Sequence, residues 1–288
     1  MIKKGIILAG GIGKRLNPLT KTVNKQLLPI YNKPLIFYPV STLMKSGIRN
    51  ILIIVNKGQT NQFTKILPKK NNLGLKIKYL EQNKPRGLPD AFILGKKFIG
   101  KDKVALILGD NFFLDSSLSL KIKEAIKLKK GSTIFLKKVN NPNLYGIASI
   151  NKNNKVEDLV EKPQKSVSKL AITGLYFFDN DVVKYSKTLK PSRRNELEII
   201  DLLNKYKKNK DLKFKLLGKK SIWLDTGEFK SMNKASNLVL RYEKKNKKML
   251  ACLEEIALKN KWITKKDILK AIQSYNNCDY SNYLKKLL

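Results

Sequence analysis

The chain has 288 residues, which is enough for one large α/β domain or two modest domains. It contains no histidine, so Ser-His catalytic triads, histidine general bases and histidine-bound zinc are excluded. Its 60 Lys and Arg residues against 22 Asp and Glu give a formal net charge of +38, which on its own would suggest a polyanionic partner.

The first half of the chain predicts alternating strands and helices. Short apolar runs predict buried strands, and the amphipathic stretches between them predict helices. The strands are expected at 6–8, 51–55, 75–80, 104–108 and 132–139, and the helices at 34–46, 59–67, 89–98 and 118–129. Pro34 is expected as the first residue of the first helix. This order predicts an α/β fold with a Rossmann-like, mostly parallel central sheet flanked by helices.

The second half predicts a different arrangement. Short β runs at 145–150, 156–160 and 171–178 predict a small antiparallel subregion laid over the strand ends. An amphipathic helix is expected at 195–208, and strands at 212–217 and 222–224 are expected to return to the sheet. Further helices are expected at 228–246, 253–258, 265–274 and 282–286. We predict a catalytic domain at 1–240 and a helical C-terminal extension at 241–288 packed on it.

The positive charge is spread along the chain. Residues 1–80 hold 15 cations and no carboxylate, which is a mild excess for that share of the length. Arg is scarce, with six residues, whereas Lys is scattered among many Asn and Ile residues, as biased composition produces. We therefore hypothesise that composition set the charge. We expect no specific nucleic-acid partner and only weak, salt-dependent binding to nucleic acid.

No segment predicts a membrane span or a processed leader. Apolar runs such as 51–55 and 104–108 have the length of strands, and the first strand begins close to Met1. Cys252 and Cys278 lack metal-like spacing and are interpreted as reduced thiols. The expectation is a cytoplasmic protein without a membrane partner.

A glycine-rich loop directly follows the first strand, within residues 8–20. Glycines at 10, 11 and 13 leave the backbone free to take positive φ, so that successive N–H groups can point at one anion. Lys14, Arg15 and Lys25 can add positive charge, and Arg15 is suited to bidentate phosphate binding. The spacing differs from that of a Walker A loop and lacks the third glycine of the dinucleotide fingerprint. The loop therefore predicts a phosphate site of another type.

Two carboxylates follow predicted strands. Asp110 comes after the strand at 104–108, and Asp225 comes after the strand at 222–224. In an open α/β sheet, ligands bind outside the carboxyl ends of the strands. Two carboxylates beside a phosphate cradle predict a site for Mg²⁺, which prefers oxygen ligands. Asp110 could equally be a turn residue that caps its own backbone.

The stretches 10–20 (GGIGKRLNPLT) and 25–34 (KQLLPIYNKP) together resemble the signature of sugar-1-phosphate nucleotidylyltransferases, most closely of members that use dTTP. Residues 109–111 and 223–227 resemble that family's metal-binding segments, and the resemblance extends to 252–262, near the end of the chain. It implies transfer of a thymidylyl group from dTTP to α-D-glucose 1-phosphate by in-line attack, with pyrophosphate leaving. It also implies Mg²⁺ as cofactor and a homotetramer.

The resemblance implies a role for each residue that matches the family's pattern. The matching catalytic residues are Arg15, Lys25, Asp110, Lys162 and Asp225, and the two aspartates are also the implied metal ligands. The matching nucleotide-binding residues are Leu8, Gly10, Gly11, Gly13, Gln26, Gln82 and Gly87. Of these, Gln82 is implied to read the pyrimidine edge. The matching sugar-phosphate residues are Asn111, Tyr145, Gly146, Glu161, Ile172, Gly174, Tyr176 and Trp223.

Some features depart from the family's pattern or leave the function open. Pro89 and Asp90 follow the base-recognition segment, where small or amide residues are usual, and residues 218–220 are more basic than the usual segment at a regulatory subunit interface. The acids within 195–200 are interpreted as solvated or interfacial. UTP is an alternative substrate, since one methyl group separates the two bases. The same residues would also fit a non-catalytic regulatory homologue, and the charge alone would fit a nucleic-acid-binding protein.

Overall fold

The computed structural model describes residues 1–288 as thirteen strands, eleven helices and four short 3₁₀ turns. The strands are β1 Lys4–Ala9, β2 Pro29–Ile30, β3 Lys33–Pro34, β4 Asn50–Asn56, β5 Lys76–Gln82, β6 Val104–Leu108, β7 Asn111–Leu114, β8 Ser132–Lys138, β9 Gly146–Ile150, β10 Val156–Glu161, β11 Leu170–Phe178, β12 Leu212–Leu216 and β13 Ile222–Asp225. The helices are α1 Phe37–Lys45, α2 Thr60–Ile66, α3 Asp90–Leu94, α4 Lys96–Ile99, α5 Leu118–Ala125, α6 Asp181–Lys187, α7 Ile199–Lys208, α8 Phe229–Asn246, α9 Leu253–Lys259, α10 Lys265–Tyr275 and α11 Asp279–Lys285.

Nine strands form the central sheet, in the order β10-β9-β11-β6-β1-β4-β5, with β8 and β12 continuing from β11. Strand β1 pairs in parallel with both β4 and β6, and β4 pairs in parallel with β5. Leu8 lies opposite both Ile54 and Leu108, so the chain leaves β1 and β6 at the same edge of the sheet. The expected α/β architecture with a mostly parallel central sheet flanked by helices is confirmed. Because β1 and β6 end at the same edge of the sheet, the glycine-rich loop that follows β1 lies next to Asp110, which follows β6.

The antiparallel strands continue this sheet instead of lying over its strand ends. Strand β11 pairs antiparallel with β6, β8 and β9, and β10 completes that edge against β9. The expectation that residues 222–224 return to the central sheet is wrong. Strand β13 pairs with β7, an unpredicted strand, in a separate two-stranded ribbon. That ribbon places Asp225 opposite Asn111 and so brings the two carboxylate-bearing turns together.

Several helix predictions differ from the structure in their ends or in their continuity. Pro34 does not begin α1, because it pairs with Pro29 in the small ribbon of β2 and β3, and the helix begins at Phe37. The helix expected at 89–98 is divided at Gly95, where an added Cβ would lie 2.8 Å from the carbonyl oxygen of Ala91. The helix expected at 195–208 begins only at Ile199. Helix α6 was not predicted.

Alternating side chains of the central strands form two apolar layers. Ile7 and Ile53 belong to one layer, whereas Ile6 and Ile54 belong to the other. The first layer also includes side chains from α1, α5, α9 and α10, so the C-terminal helices share a core with the N-terminal half. The second layer includes side chains from α3, α6 and α7. None of the helices combines the length and the apolar character needed to cross a bilayer.

Candidate active site

A cleft of about 770 Å³ opens at the carboxyl ends of β1, β5 and β6 and extends to the antiparallel strands. It lies where ligands bind in open α/β sheets. The predicted site residues that line it are Leu8, Gly10, Gly11, Arg15, Gln82, Gly87, Asn111, Tyr145, Gly146, Glu161, Lys162, Ile172, Gly174, Tyr176, Trp223 and Asp225. Gly13, Lys25, Gln26 and Asp110 lie outside that lining. One cleft thus gathers most of the residues implied for both substrates.

The glycine-rich loop uses its glycines for different reasons. Gly13 alone of the three has positive φ, at 66°, where the chain enters a 3₁₀ turn. Gly10 is required by packing, since an added Cβ would lie 1.9 Å from Nε2 of Gln82. A Cβ at Gly11 would meet nothing within 4 Å. Of the three glycines, only Gly13 uses the freedom to take positive φ, and the open space at Gly11 leaves room for a ligand beside the backbone.

Gln82 is fixed at the end of β5 with its amide pointing to the loop. Its Nε2 donates to the carbonyl oxygen of Gly10 at 2.9 Å and to Oδ1 of Asn56 at 3.2 Å, and its side chain is buried. Gly87 follows with φ of 100°, and an added Cβ there would lie 2.1 Å from the carbonyl oxygen of Leu197. Only glycine can be accommodated at this close contact, which packs the segment after β5 against the segment before α7.

Asp110 and Asp225 meet where the ribbon of β7 and β13 begins. The backbone N–H of Thr226 donates to the carbonyl oxygen of Asp110 at 3.0 Å, and Lys25, a buried lysine, forms an ion pair with the Asp110 carboxylate. Burial opposes ionisation of Asp110, but the charge and hydrogen bond of Lys25 outweigh it and hold the pKa below its ordinary value. Burial, and then the Asp110 charge, raise the pKa of Asp225 to about 6.

Gln26 lies beneath this turn. Its backbone N–H donates to Oδ1 of Asn24 at 2.8 Å, and its Cγ would be 2.9 Å from a Cβ added at Gly109. Its side-chain oxygen is buried without a hydrogen-bond partner. Gln26 therefore supports the turn between β6 and Asp110 from below.

Asn111 links three strands in the floor of the cleft. Its Oδ1 accepts a hydrogen bond from the indole N–H of Trp223 at 2.6 Å and another from the backbone N–H of Gly174 at 2.9 Å. The ring of Trp223 packs against Tyr145, with centroids 5.0 Å apart. An added Cβ at Gly174 would lie 2.6 Å from Oδ1 of Asn111. Glycine at 174 is therefore needed for this hydrogen bond.

Glu161 and Lys162 form the far wall of the cleft. Lys162 has φ of 44° directly before Pro163, a conformation that costs about 1–3 kcal/mol and is held by a 3.1 Å hydrogen bond from its N–H to the carbonyl oxygen of Tyr145. Burial raises the pKa of Glu161, and the charges of Lys162 and Arg194 oppose that rise. This strained backbone directs a cation and a carboxylate to the same part of the cleft.

A comparison with known families decides what kind of protein this is. The profile of the nucleotidyl transferase family matches residues 4–241. The chain belongs to this family. It is similar to glucose-1-phosphate thymidylyltransferase of Neisseria meningitidis, with 43% identity over 285 residues and 99% of each chain covered. It is also similar to the enzyme of that name from Mycobacterium tuberculosis, with 39% identity and the same coverage.

Solved structures give the same result for the fold. A protein from Bacillus anthracis assigned as a glucose-1-phosphate thymidylyltransferase, in complex with sucrose, aligns with a TM-score of 0.76 and 37% identity over 82% of this chain and 94% of that chain. A UDP-glucose pyrophosphorylase in complex with UDP-glucose aligns with a TM-score of 0.72 and 27% identity over 85% of this chain and all of the other.

Nucleotidyl transferases typically use Mg²⁺, and the carboxylates of this chain fit such an ion. Oδ1 of Asp225 is buried and has no hydrogen-bond partner, which is costly for a carboxylate unless a cation occupies the space beside it. No group of three or more acidic, cysteine or histidine side chains is arranged so that it could hold a metal ion by itself. Two carboxylates suit Mg²⁺, which keeps several waters and takes further oxygens from substrate phosphates.

In this nucleotidyl transferase, the cleft residues that were not among the predicted site residues include three that form ion pairs, Arg194, Glu198 and Glu228. Arg194 donates to Glu198 at 2.7 Å and to Glu161 at 3.2 Å, so it joins the far wall to the segment before α7. Among the acids within 195–200, which were interpreted as solvated or interfacial, Glu198 is not solvated, because its side chain is only 12% exposed and lines the cleft. Glu228 contacts Arg15 at the opposite side. No local motif marks the contact of Arg194 with Glu161 or that of Glu228 with Arg15, because these partners are distant in sequence.

Proposed function

We propose that the chain transfers a thymidylyl group from dTTP to α-D-glucose 1-phosphate, giving dTDP-glucose and pyrophosphate. The observation that carries this proposal is the single cleft that holds the glycine-rich loop, Asp225 and the Glu161–Lys162 wall. The full-length similarity to thymidylyltransferases supports the choice of substrates. The parallel strand ends supply the nucleotide half of the cleft, and the antiparallel strands supply the sugar-phosphate half.

The chemistry suits a chain that lacks histidine. A phosphate oxygen of glucose 1-phosphate attacks the α-phosphorus, a new P–O bond forms, and the bond to pyrophosphate breaks on the opposite side. A phosphomonoester is already anionic at neutral pH, so the nucleophile needs no general base. The enzyme's task is to hold two polyanions in line and to reduce their repulsion.

Each charged residue is assigned one part of that task according to its position in or beside the cleft. Arg15, on the glycine-rich loop, contacts the leaving phosphates, and Lys162 holds the sugar phosphate. Lys25 supports Asp110 and adds positive charge behind the α-phosphate. Asp110 and Asp225 hold Mg²⁺, which supplies positive charge to the phosphate oxygens when it is bound. Glu161 accepts hydrogen bonds from sugar hydroxyls.

The fixed amide of Gln82 suits a pyrimidine. Its Nε2 is engaged by Gly10 and Asn56, which leaves Oε1 as the available group. The N3–H of thymine or uracil is a donor, and Oε1 is an acceptor, whereas cytosine presents an acceptor at N3 and would be rejected. Thymine and uracil differ by one methyl group, so discrimination between dTTP and UTP rests on pocket shape, worth about 1–3 kcal/mol.

We also propose that residues 1–240 form the catalytic unit, with residues 241–288 packed on it, and that the enzyme is a homotetramer. The tetramer is implied by the family resemblance. Light scattering on the purified chain measures its mass directly. A monomer of 32.9 kDa would contradict the tetramer.

Pyrophosphate release from dTTP or UTP, in separate reactions with glucose 1-phosphate, tests the proposal. We expect Mg²⁺-dependent release, faster with dTTP than with UTP. Omitting glucose 1-phosphate should abolish release, which excludes simple hydrolysis. Faster release from UTP would reassign the nucleotide, and no release from folded protein with either would leave the non-catalytic homologue as the better interpretation.

A further inference from the structure

Glu228 stands at the mouth of the cleft, opposite the glycine-rich loop. Its Oε1 accepts a 2.6 Å hydrogen bond from Nη1 of Arg15, and both side chains are more than half exposed. Gly227 allows this contact, because an added Cβ there would lie 2.5 Å from Nη2 of Arg15. The same carboxylate caps α8, where it accepts a hydrogen bond from the backbone N–H of Ser231. Arg15 is thus held to the start of α8.

Every cation that lines the cleft is already close to a carboxylate. The lining carboxylates are Glu161, Glu196, Glu198, Asp225 and Glu228, and the lining cations are Arg15, Lys162 and Arg194. Arg194 is paired with Glu161 and Glu198, and Nζ of Lys162 lies 4.0 Å from Glu161. A phosphate chain that enters the cleft therefore competes with a carboxylate for each guanidinium or ammonium group.

We propose that Glu228 is a positioning residue that competes with substrate phosphates for Arg15 and so sets the affinity of the cleft for triphosphate and pyrophosphate. The inference rests on the proposed function, in which Arg15 contacts the leaving phosphates. In the free enzyme Glu228 holds Arg15 at the cleft mouth. When phosphates bind, Arg15 exchanges the carboxylate for phosphate oxygens. When pyrophosphate leaves, Glu228 takes Arg15 back, and this return favours product release.

The expected change in phosphate affinity is small, because the side chains of Arg15 and Glu228 are both exposed. Exposed ion pairs contribute little, so the competing contact should weaken phosphate binding by about two- to fivefold. A carboxylate beside the bound phosphates also repels them, which acts in the same direction. The effect should be screened by salt, because both partners are exposed.

Titration calorimetry with inorganic pyrophosphate and Mg²⁺, without nucleotide or sugar, tests the proposal. Glu228→Gln keeps an oxygen that can cap α8 but removes the charge, and it should bind pyrophosphate about two- to fivefold more tightly than wild type. The matched control is Glu196→Gln, which removes a charge from the same cleft at a residue without an ion pair to Arg15 and should leave the affinity unchanged. In the reverse reaction, Glu228→Gln should lower the KM for pyrophosphate without raising kcat.

A double-mutant cycle isolates the contact. Arg15→Ala should weaken pyrophosphate binding, and Arg15→Ala with Glu228→Gln should bind as weakly as Arg15→Ala alone. Unchanged affinity in Glu228→Gln, an equal gain in Glu196→Gln, or a gain that persists without Arg15 would each overturn the proposal. If Glu228→Gln misfolds, Glu228→Asn, another helix-capping residue, replaces it. Failure of the proposed function would appear separately, as wild-type protein that releases no pyrophosphate from dTTP.

Discussion

The side-chain oxygen of Asn111 accepts a 2.6 Å hydrogen bond from the indole N–H of Trp223, diagonally across the ribbon of β7 and β13. The same oxygen accepts from the N–H of Gly174 in β11. The ribbon that carries Asp225 is therefore tied to the central sheet through one amide side chain. Because Asn111 is only 2% exposed, these two hydrogen bonds are shielded from water. They fix the position of the ribbon, and so of one half of the cleft, relative to the central sheet.

Trp223→Phe tests that link, because it keeps an aromatic ring beside Tyr145 but removes the donor. We expect a loss of about 1–2 kcal/mol in the free energy of unfolding, measured by urea denaturation. The KM for glucose 1-phosphate should rise more than the KM for dTTP, since Trp223 and Tyr145 lie at the sugar-phosphate half of the cleft. Trp262→Phe, at the other tryptophan, is the control and should change neither KM. If Trp223→Phe and Trp262→Phe had equal effects on both KM values, the assignment of Trp223 to the sugar-phosphate half of the cleft would be contradicted.

Gly10→Ala and Gly11→Ala should separate packing from ligand binding. A Cβ at Gly10 would overlap Nε2 of Gln82 at 1.9 Å, so Gly10→Ala should displace Gln82 and lower both stability and nucleotide affinity. A Cβ at Gly11 would meet nothing within 4 Å of the free protein, so Gly11→Ala should leave the unfolding midpoint unchanged. It should still weaken dTTP binding if phosphates approach that backbone. Calorimetry measures dTTP binding and urea melts measure stability, so together they separate the ligand-binding effect from the packing effect. A loss of stability in Gly11→Ala but not in Gly10→Ala would be evidence against these separate roles.

The sequence was sufficient for features that depend on local pattern. Buried strands such as β1 and β6 have continuous apolar runs, and their parallel order predicted that Asp110 would lie near the glycine-rich loop. Features created by distant partners were not predictable. Pro34 suits a helix start by its fixed φ, yet pairing with Pro29 places it in a ribbon instead. Arg194 has no motif around it, and its position beside Glu161 follows only from tertiary packing.

Asp110→Asn should lower both activity and stability, because Asp110 is an expected metal ligand and is also the counter-ion of Lys25. Loss of a carboxylate at the expected metal site should lower kcat by at least about 10²–10³, measured as pyrophosphate release. Lys25, which is 7% exposed, would also lose its counter-ion, at a cost on the order of 3 kcal/mol in the free energy of unfolding. Adding Lys25→Met should recover much of the stability but none of the activity. Recovered turnover in the double variant would remove Asp110 from the catalytic machinery.

Asp225→Asn should make the metal-free protein more stable at neutral pH, although it should abolish turnover. The pKa of Asp225 is raised from 3.8 to about 6 in the folded protein, chiefly by burial and then by Asp110. A raised folded-state pKa means that the protonated carboxyl favours folding below about pH 4, and that this contribution is lost as pH rises through 6. Asparagine cannot ionise and avoids the loss, which amounts to about 1–3 kcal/mol.

Urea melts of wild type and Asp225→Asn in EDTA, from pH 4 to pH 8, measure this effect. The two proteins should be similar near pH 4, and the variant should become more stable as pH passes through about 6. Asp102→Asn, at an exposed carboxylate, is the control and should stay within about 0.5 kcal/mol of wild type. Mg²⁺ with dTTP should stabilise wild type more than the variant, because binding to the folded state adds to its stability. A wild type that stays more stable than Asp225→Asn at pH 8 in EDTA would show that this carboxylate is satisfied without a cation.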